Sequence, residues 1–328
     1  MRVSQINKPV AIRVFGTTFL VGFLLVLMFQ FSNEIRGNAT GVVISLSLLF
    51  VLPACVSALI VFLTDMSGRQ ERKYYTQMPL WIMGLVLLAS AITLREGVIC
   101  ILMLSPFWWL SALFGSQTVY RLQQKYKIGG GLNCMILAIV PFLTLFVETQ
   151  FQQPTDHYAV TRSIVIDAPA KNIWPLLVKL DDIQPNEGKW NITQNLLGVP
   201  KPASATIDTN NFPYIRYAGW GENVTFEEHI TEFEENRKMG WNFIFPNDSV
   251  SAYTDRHISA DGYHLKIKTG GYELVSMTPN QTRLILTTEY RATSPANLYA
   301  KLWGELILGD IQNNILTLIQ NRAEEKPL

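Results

Sequence analysis

Cysteine is scarce in this 328-residue chain: Cys55, Cys100 and Cys134 all fall in apolar runs before residue 150, and none follows. The second half therefore has no disulfide framework and no cysteine-based zinc site. Histidine is scarce as well. His157, His229, His257 and His264 are the full set, in no H-x-x-x-H or H-x-E…C-x-x-C spacing, so no metal site is expected. There is no G-x-S-x-G elbow and no glycine loop to cradle phosphate, which leaves nucleophilic catalysis without support and implies no cofactor. A dense basic patch is missing too. Residues 151–328 carry 16 Lys+Arg against 21 Asp+Glu, an acidic balance that argues against nucleic acid as a partner.

What is present divides in two. Residues 1–150 are apolar with small basic clusters, 11 Lys+Arg against 5 Asp+Glu, whereas the remainder has the mixed composition of a domain with its own core. About 20 apolar residues cross a hydrocarbon layer, and five stretches approach that: Val14–Phe31, Thr40–Leu63, Pro79–Leu94, Val98–Gln117 and Leu132–Val147. Backbone amides cannot stay unpaired in lipid, so these are expected to be helices despite Pro53, Pro106 and Pro141. The first run lacks a small-x-small cleavage site and reads as a retained anchor. Leu52-Pro53-Ala54-Cys55 is similar to a lipoprotein box, but it follows a second apolar run and is read as coincidence.

Positive residues set the orientation. Arg2, Lys8, Arg13, Arg69, Arg72, Lys73, Arg121, Lys125 and Lys127 fall on one side of the five spans, and only Arg36 and Arg95 on the other. The expectation is an integral, multi-pass protein with a cytoplasmic N-terminus, a lipid bilayer as partner and an extracytoplasmic C-terminal domain. Glu96, beside Arg95 and Gly97, reads as part of an interfacial turn.

Residues 151–157 read as a linker, and 158–328 as the second domain. His157–Asp167 alternates as a strand; Asp167-Ala168-Pro169 then reads as a helix start, with the helix over Ala170–Leu180. Strands are expected over Tyr214–Ala218, Asn223–Glu234, Met239–Phe245, Tyr263–Met277 (with a bulge at Gly270-Gly271) and Thr282–Arg291. Ser294-Pro295 reads as the cap and first turn of a long final helix running to about Glu324, with an apolar stripe through Leu302, Leu306, Ile311, Ile315 and Leu318. An antiparallel meander and a long amphipathic helix bury both apolar faces only if the sheet wraps the helix.

The run Ser163-Ile164-Val165-Ile166-Asp167-Ala168-Pro169-Ala170, followed by Ile173-Trp174-Pro175-Leu176-Leu177, resembles the opening of the START-like superfamily, which includes the polyketide cyclase/dehydratase type and is also called SRPBCC. Thr288–Arg291 and Asn297-Leu298-Tyr299-Ala300-Lys301-Leu302-Trp303 resemble the closing strand and helix of its membrane-anchored members. The resemblance spans roughly 158–324. It implies an α-helical transmembrane bundle followed by an α+β helix-grip domain, in which a curved antiparallel sheet surrounds the C-terminal helix. Between them such a fold encloses a cavity for a hydrophobic or lipid-like small molecule.

Candidate site residues follow from phase. Glu228 alternates with Val224, Phe226 and Ile230, and Arg216 on the preceding strand is its natural partner, either as an ion pair or as an acid–base site. Tyr217, Trp241, Phe243, Tyr263, Trp303 and Leu306 complete the expected lining. Asp310 is a weaker candidate, explained by solvation of the helix surface. Three functions fit: a membrane-tethered binding module, a cyclase or dehydratase using the Glu228 carboxylate, and a non-catalytic docking protein whose protein partner the sequence does not name.

Overall fold

The structure is a computed structural model that describes residues 45–93, 98–126, 131–184, 187–208, 213–247, 249–250 and 259–324. The expected span Val14–Phe31, the residues flanking it, Glu96 and His257 lie outside the described residues. The chain divides into two compact units, Met1–Gln153 and Pro154–Leu328.

In the first unit a π-helical turn, Ser47–Val51, leads into α1 (Leu52–Thr64), followed by α2 (Arg72–Thr93), α3 (Val98–Tyr126) and α4 (Gly131–Thr149). Pro53 follows directly on the π-helical turn at the start of α1, while Pro79, Pro106 and Pro141 lie inside helices. Leu52, Val56, Leu59 and Ile60 of α1 pack with Met83, Ala112 and Leu145 into one core. Small residues bring α1 and α3 close: a Cβ on Gly115 would lie 2.0 Å from the Ala54 carbonyl oxygen. Among the described residues, one stretch, Ser47–Thr64, is long and apolar enough to cross a membrane, with a mean hydropathy of 2.4.

Two polar clusters in this unit lie at helix ends. The Glu148 carboxylate accepts from Leu46 N (2.8 Å), Ser47 N (3.0 Å) and Ser47 Oγ (2.8 Å), closing the open amides where the first helical turn begins. At the other end of α1, Tyr75 OH donates to Asp65 (2.7 Å) beside Gln123, whose Nε2 donates to the Asp65 carbonyl (2.8 Å).

The second unit opens with β1 (Thr155–Ile166), so the connection is shorter than the expected 151–157. It continues through α5 (Ala170–Val178), β2 (Lys179–Leu180), α6 (Ile192–Asn195), β3 (Pro202–Asp208), β4 (Ile215–Trp220), β5 (Val224–Glu234), β6 (Lys238–Ile244), β7 (Leu265–Thr278), β8 (Gln281–Thr293) and α7 (Asn297–Ala323). All eight strands form one antiparallel sheet in the order β1-β8-β7-β6-β5-β4-β3-β2. A single core joins Ile207 of β3, Ile230 of β5, Met239 and Trp241 of β6, Tyr272 of β7 and Leu284 of β8 to Leu316 and Ile319 of α7. Strands so far apart in the order share one helix only because the sheet curls around it. This is a helix-grip fold.

Four local expectations are corrected. Helix α5 ends at Val178, and Lys179–Leu180 pairs with β3 instead. The Asp167 carboxylate accepts from Gln281 Nε2 at 2.9 Å and does not cap α5, whose N-cap is Pro169. Helix α7 starts at Asn297: Ser294 Oγ donates to Asn297 Oδ1 (3.0 Å) and accepts from Ala296 N (3.1 Å), so Ser294-Pro295 form a turn before the helix. The β7–β8 register shift falls between Ile267 and Thr269, ahead of the two glycines.

Candidate functional site

Alternation builds the site. On β5, Val224, Phe226, Glu228 and Ile230 share the buried face; on β4, Arg216 and Ala218 do. Arg216 and Glu228 are direct cross-strand partners, and Glu228 is paired in turn with Phe243. Arg216 Nη1 donates to Glu228 Oε2 at 2.5 Å, with each residue 4% exposed. Two rings packed on each other lie against the guanidinium, whose carbon is 6.0 Å from the Trp241 centroid and 5.9 Å from that of Tyr272. Burial pushes the Glu228 carboxyl above its ordinary value, against the pull of the Arg216 guanidinium. The Tyr272 phenol is pushed up to about 12 by burial, with Arg216 opposing and Glu228 reinforcing the rise.

The ion pair uses one nitrogen of the guanidinium. Arg216 Nε finds no hydrogen-bond partner among the described residues, and neither does Trp241 Nε1. A buried donor left unpaired is costly, and this interior holds two of them.

The structure brings together Arg216, Glu228, Trp241 and Phe243 among the expected site residues. Phe243 is half-buried and packs against Phe226, Phe245 and Trp241. Trp303 and Leu306 are half-buried on the N-terminal half of α7, outside the core that surrounds the ion pair; Trp303 meets Tyr299 edge-on. Tyr217 and Tyr263 do not line the interior. Tyr217 is 51% exposed because it follows Arg216 on the same strand, and neighbouring residues face opposite ways. Tyr263, 50% exposed, belongs to the turn before β7 and packs on His264. Asp310 accepts from Thr193 N (3.0 Å) and Thr193 Oγ1 (2.9 Å), which ties the start of α6 to α7.

Among the described residues no group of three His, Cys, Asp or Glu could hold a metal ion. His229 pairs with Glu227 at 2.7 Å, and His264 Nδ1 lies 2.8 Å from the Thr293 carbonyl oxygen.

Sequence reasoning missed Tyr272 and Gln312. Tyr272 follows Gly270 at strand period on β7, so its inward phase was available once the bulge was placed ahead of the glycines. Gln312 is a polar residue one turn past Leu308, in the inward phase of α7, and it is 2% exposed.

No family model matches the chain, and no curated protein matches it. Solved structures do. The Zhui aromatase/cyclase from Streptomyces sp. R1128 is 12% identical over 52% of this chain and 96% of its own, with a TM-score of 0.34. Norcoclaurine synthase from Thalictrum flavum, in complex with dopamine and hydroxybenzaldehyde, is 12% identical over 53% and 90%, with a TM-score of 0.34. The di-domain aromatase/cyclase BexL from the BE-7585A biosynthetic pathway is 12% identical over 65% and 62%, with a TM-score of 0.34. Scores this low carry no argument, and the helix-grip assignment rests on strand order, register and the shared core.

Proposed function

We propose that this chain is a membrane-tethered START-like binding module, whose C-terminal unit holds a hydrophobic or lipid-like molecule between the curled sheet and α7. The observation that carries the reading is the Arg216–Glu228 pair: a charged couple buried on the concave face, flanked by Trp241 and Tyr272, with Arg216 Nε unpartnered among the described residues. The ligand's apolar body takes the place of core contacts and its polar end meets Arg216.

Membrane tethering is the second part of the proposal. It rests on the five apolar runs and on large apolar side chains that stand outward from the helices: Trp81 (73% exposed) and Leu85 on α2, Leu110 and Phe114 (71%) on α3, Leu143 and Phe146 on α4. Lipid around the helices accounts for that surface, which water penalises. The orientation follows from the basic residues, with the N-terminus cytoplasmic and the C-terminal unit extracytoplasmic. Apolar ligands partition into bilayers, so a tethered binder has a short transfer path.

The test is native mass spectrometry of the full chain released from detergent micelles, with extraction of bound small molecules. A co-purifying apolar molecule at one per chain is the expected result. An empty, folded protein that takes up none of a panel of lipids and apolar aromatics refutes the binding reading. The raised Glu228 carboxyl favours one second reading, a cyclase or dehydratase with Glu228 as general base. There Glu228→Gln abolishes turnover yet leaves ligand binding in place, whereas for a pure binder it alters affinity alone.

A further inference from the structure

Strand register places four residues in one row across the sheet: Trp241 pairs with Gly270, Gly270 with Thr288, and Thr288 with Val160. Gln312 of α7 sits over the far end of that row. Its Nε2 donates to the Val160 carbonyl at 2.9 Å and to Thr288 Oγ1 at 3.0 Å. A backbone carbonyl only accepts, so the amide nitrogen must face it and Oε1 must face away. Gln312 Oε1 is buried and has no hydrogen-bond partner among the described residues.

Trp241 lies at the near end, its indole spread over Gly270. A Cβ on Gly270 would fall 2.6 Å from Trp241 Nε1, so the ring occupies the room that any side chain at 270 would need. Trp241 is 3% exposed, and its Nε1–H also lacks a partner among the described residues. Neighbouring strands are about 4.8 Å apart, which is the step from above Gly270 to above Thr288. One orphan donor and one orphan acceptor therefore belong to the same row of the sheet, above Gly270 and above the Val160–Thr288 pair, and are not bonded to each other. A single oxygen that both accepts and donates can satisfy the two together.

We infer that this row is a hydroxyl site: it takes an alcohol or phenol oxygen that accepts from Trp241 Nε1–H and donates to Gln312 Oε1. The inference rests on the binding reading above and narrows its ligand to an apolar skeleton bearing a hydroxyl. A ketone, ether or carboxylate oxygen satisfies Trp241 and leaves Gln312 Oε1 unmet; a hydrocarbon satisfies neither. Buried water usually makes about three hydrogen bonds, and this row offers two. The guanidinium of Arg216, on the Trp241 side, is left for a separate polar group of the same ligand.

The experiment follows indole N–H resonances of the full chain in detergent micelles, with tryptophan labelled by nitrogen-15 and the Trp241 signal assigned from Trp241→Phe. Three probes of matched shape are titrated: 2-naphthol, 2-methoxynaphthalene and naphthalene. We expect 2-naphthol to move the Trp241 signal at a concentration at least about tenfold lower than its methyl ether. Gln312→Met should erase that preference, so that 2-naphthol and its methyl ether act at the same concentration. Equal response to all three probes overturns the hydroxyl site and leaves cavity binding standing. No response to any probe, at Trp241 or elsewhere in the unit, overturns the binding reading and this inference with it. The comparison among probes on the unaltered chain holds whether or not the Gln312 variant folds.

Discussion

The two units dispose of their polar groups in opposite ways. In the helical unit the described carboxylates sit at helix ends: Glu148 closes the amides of Leu46 and Ser47, and Asp65 closes the turn at Arg69 and Gln70. In the helix-grip unit an ion pair lies in the middle of the concave face beside Trp241, with Gln312 farther across the sheet. On the proposed reading, in which lipid surrounds the bundle, charge belongs at its ends. On the same reading, a sheet that closes around a guest puts polarity inside, where the guest would meet it.

The sharpest way to break this contrast is Arg216→Leu. It strands the Glu228 carboxylate in the interior, and the expected cost is about 3–5 kcal/mol in the denaturant midpoint of the C-terminal unit. Arg216→Leu combined with Glu228→Leu should recover most of that stability and none of the ligand binding. A double variant that still binds would make the pair structural.

A smaller effect is expected where α7 ends. Arg322 donates to Glu187 through Nε and Nη2, both at 2.9 Å, and these bonds hold the Glu187 carboxyl below its ordinary value of 4.5 although burial works the other way. A depressed carboxyl stabilises the fold above its unfolded value, and that contribution fades as pH falls through the folded one. Thermal unfolding should therefore shift downward below about pH 4.5. Glu187→Gln should lose this part of the pH dependence, at a cost of about 1–3 kcal/mol at neutral pH. An unchanged pH profile in the variant would assign acid sensitivity elsewhere. Glu148→Gln, the counterpart in the helical unit, should cost only about 1 kcal/mol in micelles, since the amide still accepts from the open N–H groups. A loss as large as that for Arg216→Leu would erase the distinction between the units.

Much of this was readable in advance where phase and chemistry agree. Glu228 on an otherwise apolar strand face, with Arg216 across the hairpin, needs only period two and a sign of charge. Tyr217 and Tyr263 were misplaced because aromatic character was weighed above phase. Strand β3, Pro-Ala-Ser-Ala-Thr-Ile-Asp, was passed over because small residues give no alternation to detect. The start of α7 was set too early because Ser294 closes a turn with the same hydroxyl that would cap a helix. The row from Trp241 to Gln312 was out of reach altogether, since it exists only after three strand pairings and the docking of a helix are known.

Pro154, where the C-terminal unit begins, has a mechanical meaning. Its carbonyl accepts from Ser294 N (3.2 Å) and from Asn297 Nδ2 (2.9 Å), so the first residue of the unit is clasped to the corner between β8 and α7. A pull along the chain meets that clasp before it reaches the Thr155–Thr293 end of the β1–β8 ladder. Force is thus handed to the corner where the last strand turns into the gripping helix, and the edge strand is spared from being peeled off pair by pair.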